Sequence, residues 1–284
     1  MAESTQAVLI RQDPRGVGRF RRAVSSWDIW LAGLVILLFT AYAIVPQWFT
    51  GFDPIVGDTS RSLMPPGPGQ WFGTDELGRD LYARVVYGSQ VSLLAAAFSV
   101  SVSLVAGALL GLFAGTFGGI VDTVISRLFD AVMALPGILI TLSVLAGLGN
   151  STVVVALGVA LGFITAFGRM MRAEVFRIRD LTFVEAAYSS GARLPWVIFR
   201  HIMPNTLRPL IALATLQFGT ALLSIGSLGY LGFGQTPPEP EWGALIAQGQ
   251  GYINSAWWVA VLPGLPFILI VMAVNRVSKS IGER

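Results

Sequence analysis

Residues 179–205 read RDLTFVEAAYSSGARLPWVIFRHIMPN and connect two apolar runs, at about 152–171 and about 208–232. A helix of roughly 20 mainly apolar residues crosses the hydrocarbon core of a bilayer, so each run is long enough to span a membrane. The same criterion, applied outward along the chain, identifies four further runs at about 26–48, 90–116, 120–148 and 256–276. Since a spanning backbone must satisfy its own hydrogen bonds, the sequence predicts an all-α integral membrane protein with six transmembrane helices.

The composition excludes several classes of protein. Of 284 residues, 54% are hydrophobic and 12% are charged, whereas a soluble domain carries roughly 25% charged residues. The chain contains no cysteine and one histidine, so we expect neither a disulfide framework nor a metal site. Lys279 is the only lysine, which leaves none for a phosphate-binding G-x-x-x-x-G-K-[ST] loop. We therefore expect no catalytic residues, and any ATP hydrolysis must take place on another chain.

The basic residues indicate the orientation of the chain. They concentrate before the first apolar run, after the fourth and at the C-terminus, while only Arg61, Arg79 and Arg84 lie between the first and second runs. Basic loops remain in the cytoplasm, so both termini are predicted to be cytoplasmic, as an even number of spans requires. The predicted organisation is a cytoplasmic tail at 1–25, a first helix at 26–48, an extracytoplasmic loop at 49–89, a five-helix core at 90–276 and a cytoplasmic tail at 277–284. Because apolar runs interrupt the basic residues, nucleic-acid binding is not expected.

Small and charged residues in two predicted helices have structural interpretations. Gly107, Gly111 and Gly115 recur at four-residue spacing on the second helix, a pattern that lets a neighbouring helix approach closely. Asp122, Arg127 and Asp130 lie at the cytoplasmic entry of the third helix, and Arg127 and Asp130 share a helix face. Charged side chains at such an entry pair or reach the interface. No ionisable residue lies at the centre of a predicted span, which counts against an ion-coupled carrier.

Secondary transport nevertheless stays open as an alternative. Asn, Thr and backbone carbonyls can bind Na⁺, and Pro136-Gly137 and Pro263-Gly264 can interrupt helices. A secondary transporter or channel for a small solute is therefore the alternative from another functional class. A membrane enzyme fits less well, because the single histidine, His201, lies on the polar segment 179–205 and no serine is placed to meet it within a span.

The polar segment itself predicts two short helices. Thr182 and Glu185 have the spacing of an N-cap and its capping box. Gly191 then provides a C-terminal break, and Pro195 lies where a second helix can begin. Pro204 is predicted to prevent a continuous helix into the next span. The product is a helix-turn-helix on the cytoplasmic face with an apolar surface of small residues, Ala186, Ala187 and Ala192, that a partner can cover.

The order Glu185-Ala186-Ala187, Gly191 and His201-Ile202-Met203-Pro204 resembles the EAA loop of membrane permease subunits of bacterial ABC importers. The version ending in His-Ile-Met-Pro-Asn is similar to the H-I-L-P-N form of the dipeptide/oligopeptide/nickel permease group. A second resemblance, to the F-G-T-D-x-x-G-R-D signature of the C-type subunits of that group, lies at residues 72–80, FGTDELGRD.

This resemblance implies a type I ABC importer permease architecture in a bacterial cytoplasmic membrane. The implied partners are a B-type permease subunit, two ATP-binding subunits or domains that hold ATP and Mg²⁺, and an extracytoplasmic substrate-binding protein. This chain would hold no cofactor. Members of the group carry dipeptides, longer peptides and nickel chelates, so we expect uptake of a peptide, with a nickel chelate as the alternative.

The resemblance also assigns roles to particular residues. The coupling loop, residues 179–205, would contact an ATPase through Glu185, Ala186, Ala187, Gly191, Ala192, His201 and Pro204. The outer signature would lie near the binding protein or the outer gate through Gly73, Thr74, Asp75, Gly78, Arg79 and Asp80. Structural roles stay open for some of these residues: Glu185 can simply cap a helix, His201 can be a packed surface histidine, and the charged residues of the signature can stabilise the loop.

Overall fold

The computed structural model describes the backbone of residues 14–282 and the side chains of residues 27–280. Its described part is helical and contains no β-strand, only two isolated β-bridges. The helices are α1 (Pro14–Ile44), α2 (Leu81–Phe117), α3 (Gly119–Met133), α4 (Gly137–Leu148), α5 (Thr152–Arg179), α6 (Thr182–Ser189), α7 (Leu194–Val197), α8 (Met203–Tyr230), α9 (Trp242–Gln250), α10 (Trp258–Val261) and α11 (Gly264–Gly282). Two short 3₁₀ helices, Pro46–Trp48 and Thr59–Arg61, lie between α1 and α2.

The number of apolar spans agrees with the sequence. Five helical stretches are long and apolar enough to cross a membrane, and the pair α3 and α4 makes a sixth if it counts as one span. The prediction of one continuous third helix is wrong, because α3 and α4 meet at 90° across residues 134–136. Pro136 lacks an N–H group and disfavours helical geometry in Leu135, which explains the break.

The predicted boundaries of the first two spans shift. Helix α2 begins at Leu81 rather than about residue 90, because Asp80 caps it: the Asp80 Oδ1 atom accepts a hydrogen bond from the N–H of Ala83 at 2.7 Å. Helix α1 reaches back to Pro14 and ends at Ile44. Residues 1–13 and 283–284 of the predicted tails lie outside the described residues, and the cytoplasmic location of both tails stays a prediction.

The glycine stripe of α2 lies against α5. A Cβ atom on Gly107 would come within 2.5 Å of the Ile164 carbonyl oxygen, and one on Gly111 would collide with that of Gly168. At Gly115 it would come within 2.7 Å of the Val175 Cβ atom. The two helices therefore run parallel with their backbones in close approach, which only small residues permit.

Two further contacts hold the bundle together, one centred on Trp242 of α9 and one between α3 and α5. The fully buried Trp242 packs edge-on against Phe39 of α1 and Phe267 of α11 and donates its indole N–H to the Val85 carbonyl at 2.9 Å. The ring of Phe129 on α3 fills the space left by Gly168 on α5. Segment 45–80 leads into the start of α2, whereas the α6–α7 segment follows Arg179, whose guanidinium donates to the Gly115 carbonyl near the end of α2. The two segments therefore lie at opposite ends of α2, a helix of about 55 Å at 1.5 Å per residue.

Candidate functional site

The first helix of the coupling loop begins without the predicted capping box. Leu181 occupies the N-cap position and offers no side-chain cap, so Thr182 is the first helical residue. The fully buried Val184 anchors this register against the bundle. Glu185 is exposed, and its carboxylate makes no ion pair or side-chain hydrogen bond within the described residues. The capping role that the sequence left open for Glu185 is therefore wrong, and the side chain faces outward.

The turn between the two helices follows the glycine prediction. Gly191 has a φ of +83°, which favours glycine. Its N–H donates to the Tyr188 carbonyl at 2.9 Å, and the N–H of Ala192 donates to the Ala187 carbonyl at 3.0 Å. This pair of bonds is a Schellman C-cap, which closes α6 and directs the chain into α7 with Pro195 in its first turn.

The prediction that Pro204 interrupts the helix is wrong. Residues Ile198–Ile202 form a π-helical turn that joins α7 to α8, and the N–H of Met203 donates to the Ile198 carbonyl. The wider turn accommodates a proline, which has no N–H to continue the α-helical pattern. The stretch Leu194–Tyr230 is consequently one helical span that reaches from the coupling loop across the membrane.

A shallow concave surface of about 640 Å³ forms between α6 and α7. We call it the coupling surface. Its floor consists of small residues, Ala186, Ala187, Ser190, Gly191 and Ala192, and its rim includes Phe183, Arg193, Trp196 and His201. Phe183 is 42% exposed and Trp196 is 52% exposed. His201 lies between them, with its ring centroid 5.6 Å from that of Phe183 and 5.0 Å from that of Trp196. An exposed apolar surface of this kind is typical of a protein–protein contact.

Ion pairs connect α3 to α5 at the same end. Asp122 pairs with Arg172 through both carboxylate oxygens, and Asp130 lies 2.5 Å from an Arg169 guanidinium nitrogen. Both aspartates at the entry of the third predicted helix are therefore paired across helices, whereas Arg127 is exposed and forms no ion pair within the described residues. The two aspartates have a structural role in this structure, as the sequence suggested.

At the opposite end, the outer signature is a closed hydrogen-bonded turn. Both Asp75 carboxylate oxygens serve it: Oδ1 accepts the backbone N–H groups of Leu77 and Arg79 at 2.9 and 3.0 Å, and Oδ2 accepts the Arg79 Nε–H at 2.6 Å. Thr74, fully buried, donates its hydroxyl to the Arg61 carbonyl and accepts the N–H of Met64.

The two glycines of the signature allow this packing. Gly73 and Gly78 have φ angles of +74° and +71°. A Cβ atom on Gly73 would collide with the Met64 carbonyl, and one on Gly78 with the Asp58 carbonyl. With Thr74, Asp75, Arg79 and Asp80 all buried, the signature stabilises the loop. Contact with a binding protein stays a prediction and would involve the exposed residues around it.

The structure adds Arg84, which the sequence analysis used only in the charge count. Its side chain is fully buried, with Nε 3.4 Å from an Asp75 carboxylate oxygen. The guanidinium also donates to the Pro54 carbonyl at 2.9 Å, to the Pro238 carbonyl at 3.4 Å and to Gln248 Oε1 at 3.2 Å. Arg84 thereby connects the outer loop to the α8–α9 loop and to α9. The sequence analysis placed Arg84 in the loop 49–89, and only the start of α2 at Leu81 brings it into the first turn of an apolar helix, where a buried charge requires a partner.

Glu241, also missed, is a buried carboxylate at the N-terminus of α9, outside the six candidate spans. It accepts the Ser92 hydroxyl at 3.0 Å and the N–H of Ala244 at 2.9 Å, and it fits against α8 only because residue 229 is glycine. No cation pairs with it within the described residues. Burial, partly offset by these hydrogen bonds, raises the pKa of Glu241 above its usual range.

The predicted site residues thus form two separate sets. Five of the seven predicted coupling residues line one concave surface, which Glu185 and Pro204 do not line. The signature residues form one turn at the other end of α2, and the glycine stripe lies between the two sets. Within the part of the chain that the structure describes, no three His, Asp or Glu side chains come together as a metal site would require. The arrangement provides two surfaces and a helical connection between them.

Comparison with known proteins identifies relatives of this chain. The profile of the binding-protein-dependent transport system inner membrane component matches residues 107–280. The chain is 38% identical, over 89% of its length and 84% of the relative's, to the dipeptide transport system permease protein DppC of Alkalihalophilus pseudofirmus. It is 38% identical to the di/tripeptide transport system permease protein DppC of Pseudomonas aeruginosa, over 89% of this chain and 86% of that protein. It is 36% identical to the glutathione transport system permease protein GsiD of Pectobacterium atrosepticum, over 89% and 84%.

Solved structures share the fold. One is the MetNI methionine ABC transporter in an inward-facing conformation, with a TM-score of 0.55 and 20% identity over 70% of this chain and 96% of that chain. Another is an amino acid ABC transporter, with a TM-score of 0.57 and 13% identity over 72% and 94%. The chain therefore belongs to the family of inner membrane components of binding-protein-dependent transport systems, as a multi-pass ABC transporter permease of the dipeptide/oligopeptide group.

Proposed function

We propose that this chain is the C-type permease subunit of an ATP-driven importer that takes up di- or oligopeptides delivered by an extracytoplasmic binding protein. The observation that carries the proposal is the exposed coupling surface on α6 and α7, joined without a break to a membrane span. The relatives named for dipeptide and di/tripeptide transport support a peptide as the cargo.

The connection between α7 and α8 supports a mechanical role for the coupling surface. An ATPase seated on Phe183, Trp196 and the small-residue floor would displace α7 when it closes on ATP. Because the helix continues through the π turn to Tyr230, that displacement would tilt α8 across the membrane. Transport would then follow from a difference in ATPase binding between the inward-facing and outward-facing states.

The remaining partners follow from this assignment. A B-type permease would complete the translocation path, and two ATP-binding subunits or domains would hold ATP and Mg²⁺. Both termini would face the cytoplasm of a bacterium, with the coupling surface. The signature at 72–80 would lie on the outer side, near the binding protein or the outer gate.

Purification with partners tests the assignment. The tagged chain, extracted from its native membrane in mild detergent, should recover a second six-helix permease and one or two ATPases, with ATP hydrolysis in the eluate. Binding proteins recovered with it can then be screened with di- and oligopeptides and with nickel chelates. Recovery of the folded chain alone, without ATPase activity, would instead favour a secondary transporter or channel.

A matched pair of glycine variants tests the coupling surface directly. Gly191 and Gly149 have φ angles of +83° and +88°, and a Cβ atom on either meets no atom within 4 Å. Gly191→Asp should abolish peptide uptake, because it introduces a charge into the coupling surface, while membrane insertion stays intact. Gly149→Asp creates the same backbone strain at the other end of the bundle and should retain uptake. Normal uptake by Gly191→Asp would contradict the coupling assignment.

A further inference from the structure

A small pocket lies where the chain leaves α1 and enters α2, at the end of the bundle opposite the coupling surface. Its volume is about 230 Å³, and its walls include four aromatic residues, Phe49, Phe52, Trp71 and Tyr82. Trp71 is 66% exposed, and its ring centroid is 5.0 Å from that of Tyr82. The Tyr82 hydroxyl lies 2.9 Å from that of Tyr42, which fixes the tyrosine ring in the wall. The pocket is therefore aromatic, preformed and open on one side.

Asp80 gives this pocket a negative charge. It lines the pocket and is 5% exposed. Oδ1 of its carboxylate accepts the N–H of Ala83, and within the described residues no basic side chain forms an ion pair with it. The face of an aromatic ring is also electronegative. Aromatic walls together with a carboxylate attract an organic cation, as in the aromatic cages that bind ammonium groups.

The position of the pocket identifies the source of such a cation. The 18-residue candidate span of α1 ends at Ile44, and Tyr42 in its last turn contacts Tyr82 in the pocket wall, so the pocket lies at the level where α1 leaves the membrane. Trp48, 81% exposed, lies beside it in sequence, and tryptophan favours the headgroup layer. Ligand pockets for drug-sized molecules measure about 300–1,000 Å³. A space of about 230 Å³ suits the end of a headgroup better than a whole peptide.

We propose that this pocket binds the primary ammonium group of a phospholipid headgroup, as in phosphatidylethanolamine. The ammonium group would lie against Trp71 and Tyr82 and face Asp80. Arg61, exposed and close enough to act electrostatically on Asp80, would attract the headgroup phosphate. The two opposite charges of the site match the two charges of a zwitterionic headgroup. This inference does not depend on which solute the importer carries.

Lipid retention tests the proposal on the full-length protein. The protein is reconstituted in nanodiscs of phosphatidylethanolamine and phosphatidylglycerol in equal amounts, and the lipids retained after detergent extraction are counted by native mass spectrometry. The retention ratio is the number of phosphatidylethanolamine molecules retained divided by the number of phosphatidylglycerol molecules. It should exceed one for the wild type. Asp80→Asn keeps a good N-cap for α2 and should lower the retention ratio about tenfold, since it removes the charge. Trp71→Leu should lower the ratio about fivefold.

The matched control is Trp48→Leu, which removes an exposed tryptophan outside the pocket and should leave the ratio unchanged. Equal retention ratios for the wild type and Asp80→Asn would overturn the proposal. So would a wild type that shows no preference for phosphatidylethanolamine and binds trialanine but not its N-acetylated form, since that result would make the pocket a site for the amino terminus of a peptide. A melting temperature measured for each variant separates loss of the site from loss of the fold.

Discussion

The signature turn at the outer end of α2 and the coupling surface at its other end differ in how their side chains are partnered. At the outer end, Asp75, Arg79 and Arg84 are buried, and each is bonded to other residues of this chain. At the other end, Phe183 and Trp196 are exposed around a shallow surface, and Glu185 has no partner within the described residues. A buried charge must be paired to be stable, whereas an exposed apolar surface is stabilised by a partner. The signature turn is thus completed by its own chain, and the coupling surface is arranged for another.

Among the variants that test this contrast, Gly78→Val should lower the free energy of unfolding the most. The new side chain would collide with the Asp58 carbonyl, and φ at this position is +71°. Gly69→Val is the matched control, since Gly69 also has a positive φ, of +84°, but open space around it. We expect Gly78→Val to lower the free energy of unfolding by about 3 kcal/mol more than the control. Denaturation in mixed micelles measures the difference, and equal losses would contradict the close packing of the signature.

Arg84→Met should cause the next largest loss in the free energy of unfolding. It would leave Asp75 without one of its two cations and remove the hydrogen bonds to Pro54, Pro238 and Gln248. Removing one partner of a buried ion pair costs roughly 3 kcal/mol. At the other end, Arg193→Met replaces an exposed arginine and should change the free energy of unfolding by less than about 0.5 kcal/mol. Similar losses for both variants would remove the contrast between the two ends.

The pH dependence of stability should reveal the raised pKa of Glu241 in the folded protein. Burial raises its pKa in the folded protein, so the folded state binds a proton more tightly than the unfolded state does. Its ionisation therefore destabilises the fold as the pH rises from the unfolded pKa through the raised folded value. The melting temperature of the wild type should fall more on going from pH 5 to pH 8 than that of Glu241→Gln. Parallel pH profiles would show that Glu241 does not titrate differently on folding.

The smallest effect should come from the ion pairs between α3 and α5. In the Asp130–Arg169 pair, the two side chains are about half exposed, whereas Asp122 and Arg172 are more buried and share a bidentate contact. We expect Asp130→Asn to change the free energy of unfolding by about 0.3 kcal/mol and Asp122→Asn by about 1 kcal/mol. In the same denaturation experiment at high salt, the effect of Asp130→Asn should fall by the larger fraction, because salt screens exposed pairs more than partly buried ones. The reverse order would show that exposure does not govern these pairs.

Several features of the fold were predictable because they depend on local sequence. The apolar runs predicted the spans, since length and hydropathy alone decide whether a helix can cross a bilayer. The break after α6 was predictable from Gly191, whose φ favours the one residue without a side chain. The family was identifiable from the EAA-like loop and the outer signature, because both are short continuous motifs.

Other features depend on what surrounds a residue. The N-cap of α6 is Leu181 rather than the predicted Thr182, because the buried Val184 sets the register of the helix. Pro204 was expected to end a helix, and a π turn accommodated it instead. Arg84 and Glu241 are separated by 157 positions in the sequence, and each joins α2 to the segment around α9. No local sequence pattern predicts contacts between residues so far apart in the chain.

By itself, the sequence determined that this protein is a six-span helical permease of the ABC importer type, with small residues where helices meet and a polar segment that resembles a coupling loop. Only the tertiary structure decided which charges are buried and which surfaces stay open. It folded the signature at 72–80 into a closed turn, bent the third span by 90° and left the coupling surface exposed. The physical reason is that hydropathy and turn chemistry act over a few neighbouring residues, whereas burial and pairing depend on segments far apart in the chain.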